Sequence, residues 1–300
     1  MSIKYSIIKA VFHILPVQQM MAKPYDELTK MFKSAQAKPK IPALKDPELT
    51  TSIHMVGNSP VLAISHKKKT DSVCIYVVGG GMLKYPKPSQ AKSMLSIAKE
   101  PNRNILLPYF PLAPQHDLFD ALDMLYDTYK MALKQYPAEN IAFLGGSSGA
   151  AMTLWLMSLI NTRGEGLPMP GKIALSSPGS ALTPEERKRA EELNKTDLIM
   201  STTALDNIFA GMAGGKELPE ELSYNQKGIY DGIKDVYLSY GGDEVFSAAA
   251  RSTADRLRSY GAKVTLEIAE GMYHTYAAMP LVKEARPGYE RMMKYLTVSR

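Results

Sequence analysis

Cysteine is nearly missing from this chain. Cys74 is the only one in 300 residues, so no intramolecular disulfide can form. Its place inside the apolar run 73–78 suits a buried strand thiol better than a nucleophile. Such usage fits a reducing, cytoplasmic setting. Long hydrophobic runs are missing too: none approaches the roughly 18 residues needed to span a bilayer. The start, Met1-Ser2-Ile3-Lys4 followed by the stretch 7–15, imitates a signal peptide. However, Lys9 and His13 interrupt it, and Gln18-Gln19-Met20-Met21 offers no small-residue cleavage pattern. The expectation is a helix packed on the body of the protein; a helix lying on a membrane surface, aided by Lys4 and Lys9, is the alternative.

Charge of one sign is scarce. Thirty-six basic residues against 30 acidic ones leave a net charge of +6. The one tight basic run, Lys67-Lys68-Lys69, lies between two apolar strand patterns and reads as a solvated hairpin turn. Without a basic patch interleaved with aromatics, no nucleic-acid partner is expected. No His, Cys and carboxylate set has ligand spacing, so neither metal nor cofactor is implied. Oligomeric state is not legible. Histidine is the last scarcity, with five in the chain, and it becomes informative below.

A hydrophobic share of 45% over this length is enough for one large α/β domain, or for a core domain with a lid. Residues 1–48 read as helical and then irregular, with prolines at 39, 42 and 47 punctuating a linker. Strand patterns start at 51–56 and 61–65, with Asn58-Ser59-Pro60 as the turn between them. The run 73–78 resembles a central parallel strand buried on both faces, and it ends in Gly79-Gly80-Gly81. Helix and strand patterns then alternate: helix 89–99, strand 104–107, helix 118–135, strand 141–144, a helix after Ser147, and strand 172–176. Residues 180–232 carry helical patterns at 184–193 and 203–213 and no strand, so they read as an insertion above the sheet. Alternation resumes with strand 235–240, helix 246–260, strand 263–268 and helix 281–296. The fold class is α/β, a mostly parallel sheet with helices on both faces. Its core comprises 49–179 and 233–300, and 180–232 is an insertion lying on top of the sheet.

Gly145-Gly146-Ser147-Ser148-Gly149 sits between a strand pattern and a helix pattern, where G-x-S-x-G forms a nucleophile elbow. Chance alone supplies that pattern in about one chain of this length in ten, and a glycine-rich phosphate loop is the plain alternative. Context decides. A serine needs a base, and the base needs an orienting acid, which follow in the order Ser, Asp or Glu, His. Of the histidines at 13, 54, 66, 116 and 274, only His274 follows Ser147. It lies just past the last strand pattern. The acid belongs after the preceding strand, where Asp243 is the first choice and Glu244 the second; helix capping is the alternative role for Asp243. The oxyanion hole needs preorganised amides. Gly80 and Gly81 after the earlier strand supply two, and the backbone of Ser148, rather than its hydroxyl, supplies another. Met82, Leu83 and Tyr85 are candidate substrate-pocket walls, with plain core packing as the alternative.

These segments resemble the hormone-sensitive-lipase-like group of α/β-hydrolases. Val78-Gly79-Gly80-Gly81 stands against that group's HGGG, and Tyr109-Phe110-Pro111-Leu112-Ala113-Pro114-Gln115-His116 against Y-R-L-A-P-E-H. Gly145 to Ala150 stands against G-D-S-A-G-G, and Gly271-Met272-Tyr273-His274 against the terminal histidine loop. Four departures matter: Val78 replaces His, Gly146 replaces Asp, Ala150 replaces Gly, and Glu244-Val245 follows Asp243 where Pro-Leu is common. The resemblance implies an α/β-hydrolase fold with a helical cap, made of segment 1–48 and insertion 180–232, and a structural, non-catalytic His116. It also implies an esterase for short-chain acyl esters working through Ser147, Asp243 and His274. A carbohydrate deacetylase, amidase or peptidase on the same triad is the alternative, with a non-catalytic binding protein on this fold further off.

Overall fold

The structure, a computed structural model, describes residue 5 and residues 15–298. The helix expected over 7–15 lies outside the described residues except for Leu15, which sits in a turn. One sheet holds eight strands: β1 (Leu49–Val56), β2 (Ser59–His66), β3 (Val73–Val77), β4 (Asn104–Pro108), β5 (Ile141–Gly146), β6 (Lys172–Ser176), β7 (Asp235–Gly241) and β8 (Lys263–Ala269). Their order across the sheet is β1-β2-β4-β3-β5-β6-β7-β8. β1 and β2 run antiparallel, and β4, β3, β5, β6, β7 and β8 are parallel. The central strands β3 and β5 are buried along their whole length, as their unbroken apolar sequences require of strands covered on both faces. At the edge, β1 is mostly exposed, with Ile53 and Met55 open to solvent.

Helices α1 (Val17–Met21), α2 (Tyr25–Met31) and α3 (Lys33–Gln36) precede the sheet. Then come α4 (Pro88–Lys99), α5 (Leu118–Leu133), α6 (Ser148–Arg163), α7 (Pro184–Leu193), α8 (Thr202–Ala213), α9 (Ala250–Ser259) and α10 (Arg286–Leu296). One side of the sheet is covered by α5, α6 and α9, around Trp155, Tyr129 and Phe143. The other is covered by α4 and α10, around Tyr76, Met94 and Met292. α6 is apolar around its circumference and is buried accordingly. α5 begins with Asp117, whose carboxylate accepts from the Phe119 and Asp120 amides, and α7 with Thr183 in a capping box. α7 and α8 lie within 180–232, which contains no strand. That segment is tied to the N-terminal helices through side-chain amides: Gln18 Nε2 donates to Met200 O at 2.7 Å and Asn207 Nδ2 to Ala22 O at 2.9 Å.

Two local expectations are corrected. Ser59 and Pro60 belong to β2, and the turn before it is made at Gly57, whose φ of +55° suits a residue without a side chain. The Lys67–Lys69 run is exposed but is not a hairpin turn. β4 lies between β2 and β3 in the sheet, so the two strands flanking these lysines never pair.

Candidate active site

Parallel strands deliver their following loops to a single sheet edge. The loops after β3, β5, β6, β7 and β8 here carry Gly79–Gly81, Ser147, Ser177, Glu244 and His274 respectively. Ser147 sits between β5 and α6 at φ +54°, ψ −128°, a conformation that costs a non-glycine residue roughly 1–3 kcal/mol. Its N–H donates to Ser176 O at 2.9 Å. The turn is tight because α6 starts directly against β3: a Cβ on Gly149 would lie 2.1 Å from Val77 O, so only glycine fits. At Gly146 the same construction meets only ordinary contacts, 3.7 Å from the Ala278 Cβ. A Cβ there would clash with nothing, so its first side-chain atom does not demand glycine.

His274 Nε2 lies 2.9 Å from Ser147 Oγ. Its Nδ1 bonds Glu244 Oε2. The expectation of Asp243 in that position is therefore corrected. After β7, the chain turns back onto the β8 side: Gly242 N–H donates to Ala269 O at 2.7 Å and Asp243 N–H to Met272 O at 3.2 Å. That turn leaves Asp243 half-buried, while Glu244, one residue on, points inward and is fully buried. Its second oxygen, Oε1, accepts from Ser177 Oγ and from the Gly241 amide, both at 2.6 Å. Ser177 in turn accepts from Thr275 N at 2.8 Å, so one hydroxyl holds both the carboxylate and the histidine loop.

Burial disfavours the imidazolium of His274. The charge and hydrogen bond of Glu244, helped by the charge of Asp197, outweigh it, and the His274 pKa is raised. Asp197, from the loop between α7 and α8, is buried, and desolvation pushes its carboxyl up to about 6. The His274 charge and the amides of Met200, Ile199 and Val245 pull the other way. The Phe246 ring stands edge-on to the imidazole, 4.6 Å between centroids, fixing its plane.

The loop after β3 turns through Gly80 (φ +131°), Gly81 (φ +61°) and Met82 (φ +55°). Its carbonyl at Gly81 accepts from Tyr25 Oη at 2.7 Å, a tie from α2. The amides of Gly80 and Gly81 point toward Ser147's neighbour and donate to Ser148 Oγ at 3.0 and 2.8 Å. The Ser148 hydroxyl, expected to play no part, thus holds both glycine donors.

A cavity of about 280 Å³ opens over Ser147 and His274. Its walls are apolar, with Trp155, Leu205, Ile208 and Phe246 prominent and Met21 and Phe32 contributed by the N-terminal segment. Of the three expected wall residues, Leu83 lines it; Met82 and Tyr85 do not. The left-handed turn at Met82 sends that side chain into the core, and Tyr85 packs on Tyr109, 6.3 Å between ring centroids. Among the described wall residues Lys84 is the one Lys, Arg, Asp or Glu, with Nζ 5.6 Å from the Phe32 ring. His116 is far from this chemistry: its ring is half-exposed and bonds Asp120 at 3.0 Å, one helical turn along. Ser177, Asp197 and Phe246 escaped the sequence reading. Ser177, directly after β6 and before Pro178, carried the best available hint, a polar residue just past the end of a strand beside the serine strand.

A family model described as the alpha/beta hydrolase fold matches residues 74–278. The chain is 26% identical over 235 residues to the esterase LipU of Mycobacterium tuberculosis, covering 76% of this chain and 78% of that one. Among solved structures, a proposed esterase of Staphylococcus aureus superposes with a TM-score of 0.79 at 18% identity, covering 92% of this chain and 94% of the other. An esterase from the bacterial hormone-sensitive lipase family does so at 0.74 and 21%, covering 90% and 96%. At these identities the superpositions speak for the fold.

Proposed function

The chain belongs to the α/β-hydrolase fold family, and from that premise we propose that it is a serine carboxylester hydrolase for short-chain, acetyl-type esters. The observation that carries this reading is a single imidazole with Ser147 on one nitrogen and a buried carboxylate, Glu244, on the other. Glu244 keeps the Nδ1 proton in place, leaving Nε2 free to accept the proton of Ser147 Oγ. Oγ attacks the ester carbonyl carbon, and the carbonyl electron pair moves to oxygen in front of the Gly80, Gly81 and Ser148 amides. Collapse of that intermediate expels the alcohol, which takes the proton from Nε2 and leaves an acyl-Ser147. Water, deprotonated by the same nitrogen, releases the acid and regenerates the serine. Similarity to the esterase LipU supports the ester as substrate. A cavity of about 280 Å³ lies near the low end of ordinary ligand pockets, roughly 300–1,000 Å³, and favours short acyl groups.

Residues 1–48 and 180–232 act in this reading as a cap. Its support is that Met21, Phe32, Leu205 and Ile208 line the same cavity as Ser147. The test is a fluorophosphonate probe together with a p-nitrophenyl ester series. The wild-type protein should be labelled and should prefer acetate and butyrate to decanoate, and Ser147→Ala should lose both labelling and turnover with its circular dichroism unchanged. Labelling that survives Ser147→Ala, or turnover confined to acetylated sugars or peptide amides, would refute it.

A further inference from the structure

The residue after the serine in the G-D-S-A-G-G pattern is alanine, and this chain has Ser148 there. Its hydroxyl oxygen lies 3.0 Å from the Gly80 amide and 2.8 Å from the Gly81 amide, accepting from both. Oxyanion donors must stand about 2.7–3.1 Å from the oxygen they stabilise. Ser148 Oγ therefore occupies the place that the substrate oxygen needs. Two oxygens cannot both lie along the same pair of N–H directions, because well-aligned donors favour a single acceptor position. Ser148 is nearly buried and lines the cavity beside Ser147 and His274, so the exchange takes place inside the site itself.

Resting on the esterase reading above, we propose that the Ser148 hydroxyl is a tethered occupant of the oxyanion hole. It satisfies the Gly80 and Gly81 amides in the free protein and rotates about χ1 out of the hole as the substrate oxygen enters. A serine side chain has three staggered wells, so leaving requires no backbone movement. The occupant also supplies a brace to a loop whose preceding residue is Val78, which has no polar atom on its side chain. Its consequence is a standing competition. Each turnover first breaks two neutral hydrogen bonds, each worth about a few-fold in an equilibrium constant after exchange with the incoming oxygen.

Ser148→Ala keeps the Ser148 amide and removes only the competitor. Water then fills the hole, but an untethered water is displaced more easily than a side chain held beside it. The expected result is a rise of about five-fold in kcat/KM for p-nitrophenyl acetate and a similar tightening of a trifluoromethyl ketone, whose hemiketal oxygen binds in the same hole. Ser148→Thr should move the opposite way, by about five-fold. The added methyl restricts χ1 and enters the hole in one of the two swung-out rotamers. An unchanged or lower kcat/KM and an unchanged or weaker ketone in Ser148→Ala would overturn the proposal, as would a gain in Ser148→Thr. The threonine variant keeps the proposal open to refutation if the alanine variant does not fold. Fluorophosphonate labelling of Ser147 in the wild-type protein separates the two readings: labelling with no gain in Ser148→Ala sinks only the occupant, whereas no labelling sinks the esterase reading beneath it.

Discussion

Adjacent acids, Asp243 and Glu244, compete in the sequence for one role, and the structure makes them separable by exchange of a single atom. Glu244→Gln preserves shape and removes the charge. Glu244 Oε1 accepts from two donors, Ser177 Oγ and Gly241 N–H, and Oε2 accepts from His274 Nδ1. A glutamine must either turn its NH2 toward the imidazole or turn it toward the Gly241 amide. In the first case Nδ1 becomes an acceptor and Nε2 carries the proton, so Ser147 loses its base. In the second, two donors face each other in a fully buried pocket. The first outcome disables the base and the second destabilises the pocket, so a protein that keeps its fold is driven to the first, and that tautomer fault is worth about 10³–10⁴ in kcat, or roughly 4–5.5 kcal/mol. Asp243→Asn should stay within about three-fold of wild type, because both imidazole nitrogens already have their partners in Glu244 and Ser147. The assay is kcat/KM against pH with p-nitrophenyl acetate. The free-enzyme limb belongs to His274, whose pKa is raised above the ordinary 6.5 with Glu244's charge among the causes. Activity needs the neutral imidazole, so it rises with pH through a value above 6.5 in the wild type. The residual activity of Glu244→Gln should rise at a lower pH, since the charge that favours the imidazolium is gone. A dead Asp243→Asn beside an active Glu244→Gln would refute the assignment, and an unmoved pH limb would refute its electrostatic basis.

The lone Lys84 cation on an otherwise neutral wall should discriminate among alcohols. At an effective dielectric constant near 20, a quaternary ammonium about 7 Å from Nζ is opposed by about 2 kcal/mol. Acetylcholine should therefore be cleaved at least ten-fold more slowly than its neutral carbon isostere, and Lys84→Met should erase most of that gap; an unchanged ratio would rule the effect out. Asp197 makes a prediction about stability. Its folded carboxyl sits at about 6 against an ordinary 3.8, so between these values the folded state holds a proton that the unfolded state has lost. Its contribution is complete below about pH 4 and falls as pH rises through 6, by up to about 3 kcal/mol. Urea unfolding at pH 4.5 and 7.5 should show the wild type losing stability relative to Asp197→Asn over that interval, and a relative gain would contradict the linkage.

How much of this was legible depended on whether the decisive information was local. Strand and helix patterns mark β3, β5 and the 180–232 interruption because apolar runs and turn residues are properties of neighbours in sequence. Scarcity did the same for the base: with His274 the only histidine after Ser147, no other candidate existed. The acid was not legible to one residue. Whether Asp243 or Glu244 turns inward is set by two hydrogen bonds from the β7 turn to the Ala269 and Met272 carbonyls on the β8 side. Those partners lie more than twenty residues away. Met82 was misjudged for a similar reason, since a left-handed φ of +55° at a non-glycine residue reverses the side that a side chain faces, and no composition rule announces it.

Ser148 shows the sharper limit. As a residue type it is compatible with the first position of any helix, and from the sequence its amide, rather than its hydroxyl, is the group expected to act. Yet the loop carrying Gly80 and Gly81 stands across a strand boundary, delivered there because β3 and β5 are neighbours in the sheet while 63 residues of chain separate Val77 from Ile141. Only that adjacency lets a serine oxygen reach two glycine amides. Buried amides without a partner cost more than a net hydrogen bond returns, so a small polar side chain within reach settles on them until a better acceptor arrives. In this site the better acceptor is an oxygen that becomes charged during the reaction. Hydrogen bonds to an ionised acceptor are roughly twice as strong as neutral ones. The hydroxyl can thus hold the hole against a neutral carbonyl and still yield it to the tetrahedral intermediate, which places the competition on the way to the transition state, where kcat/KM and the hemiketal both register it.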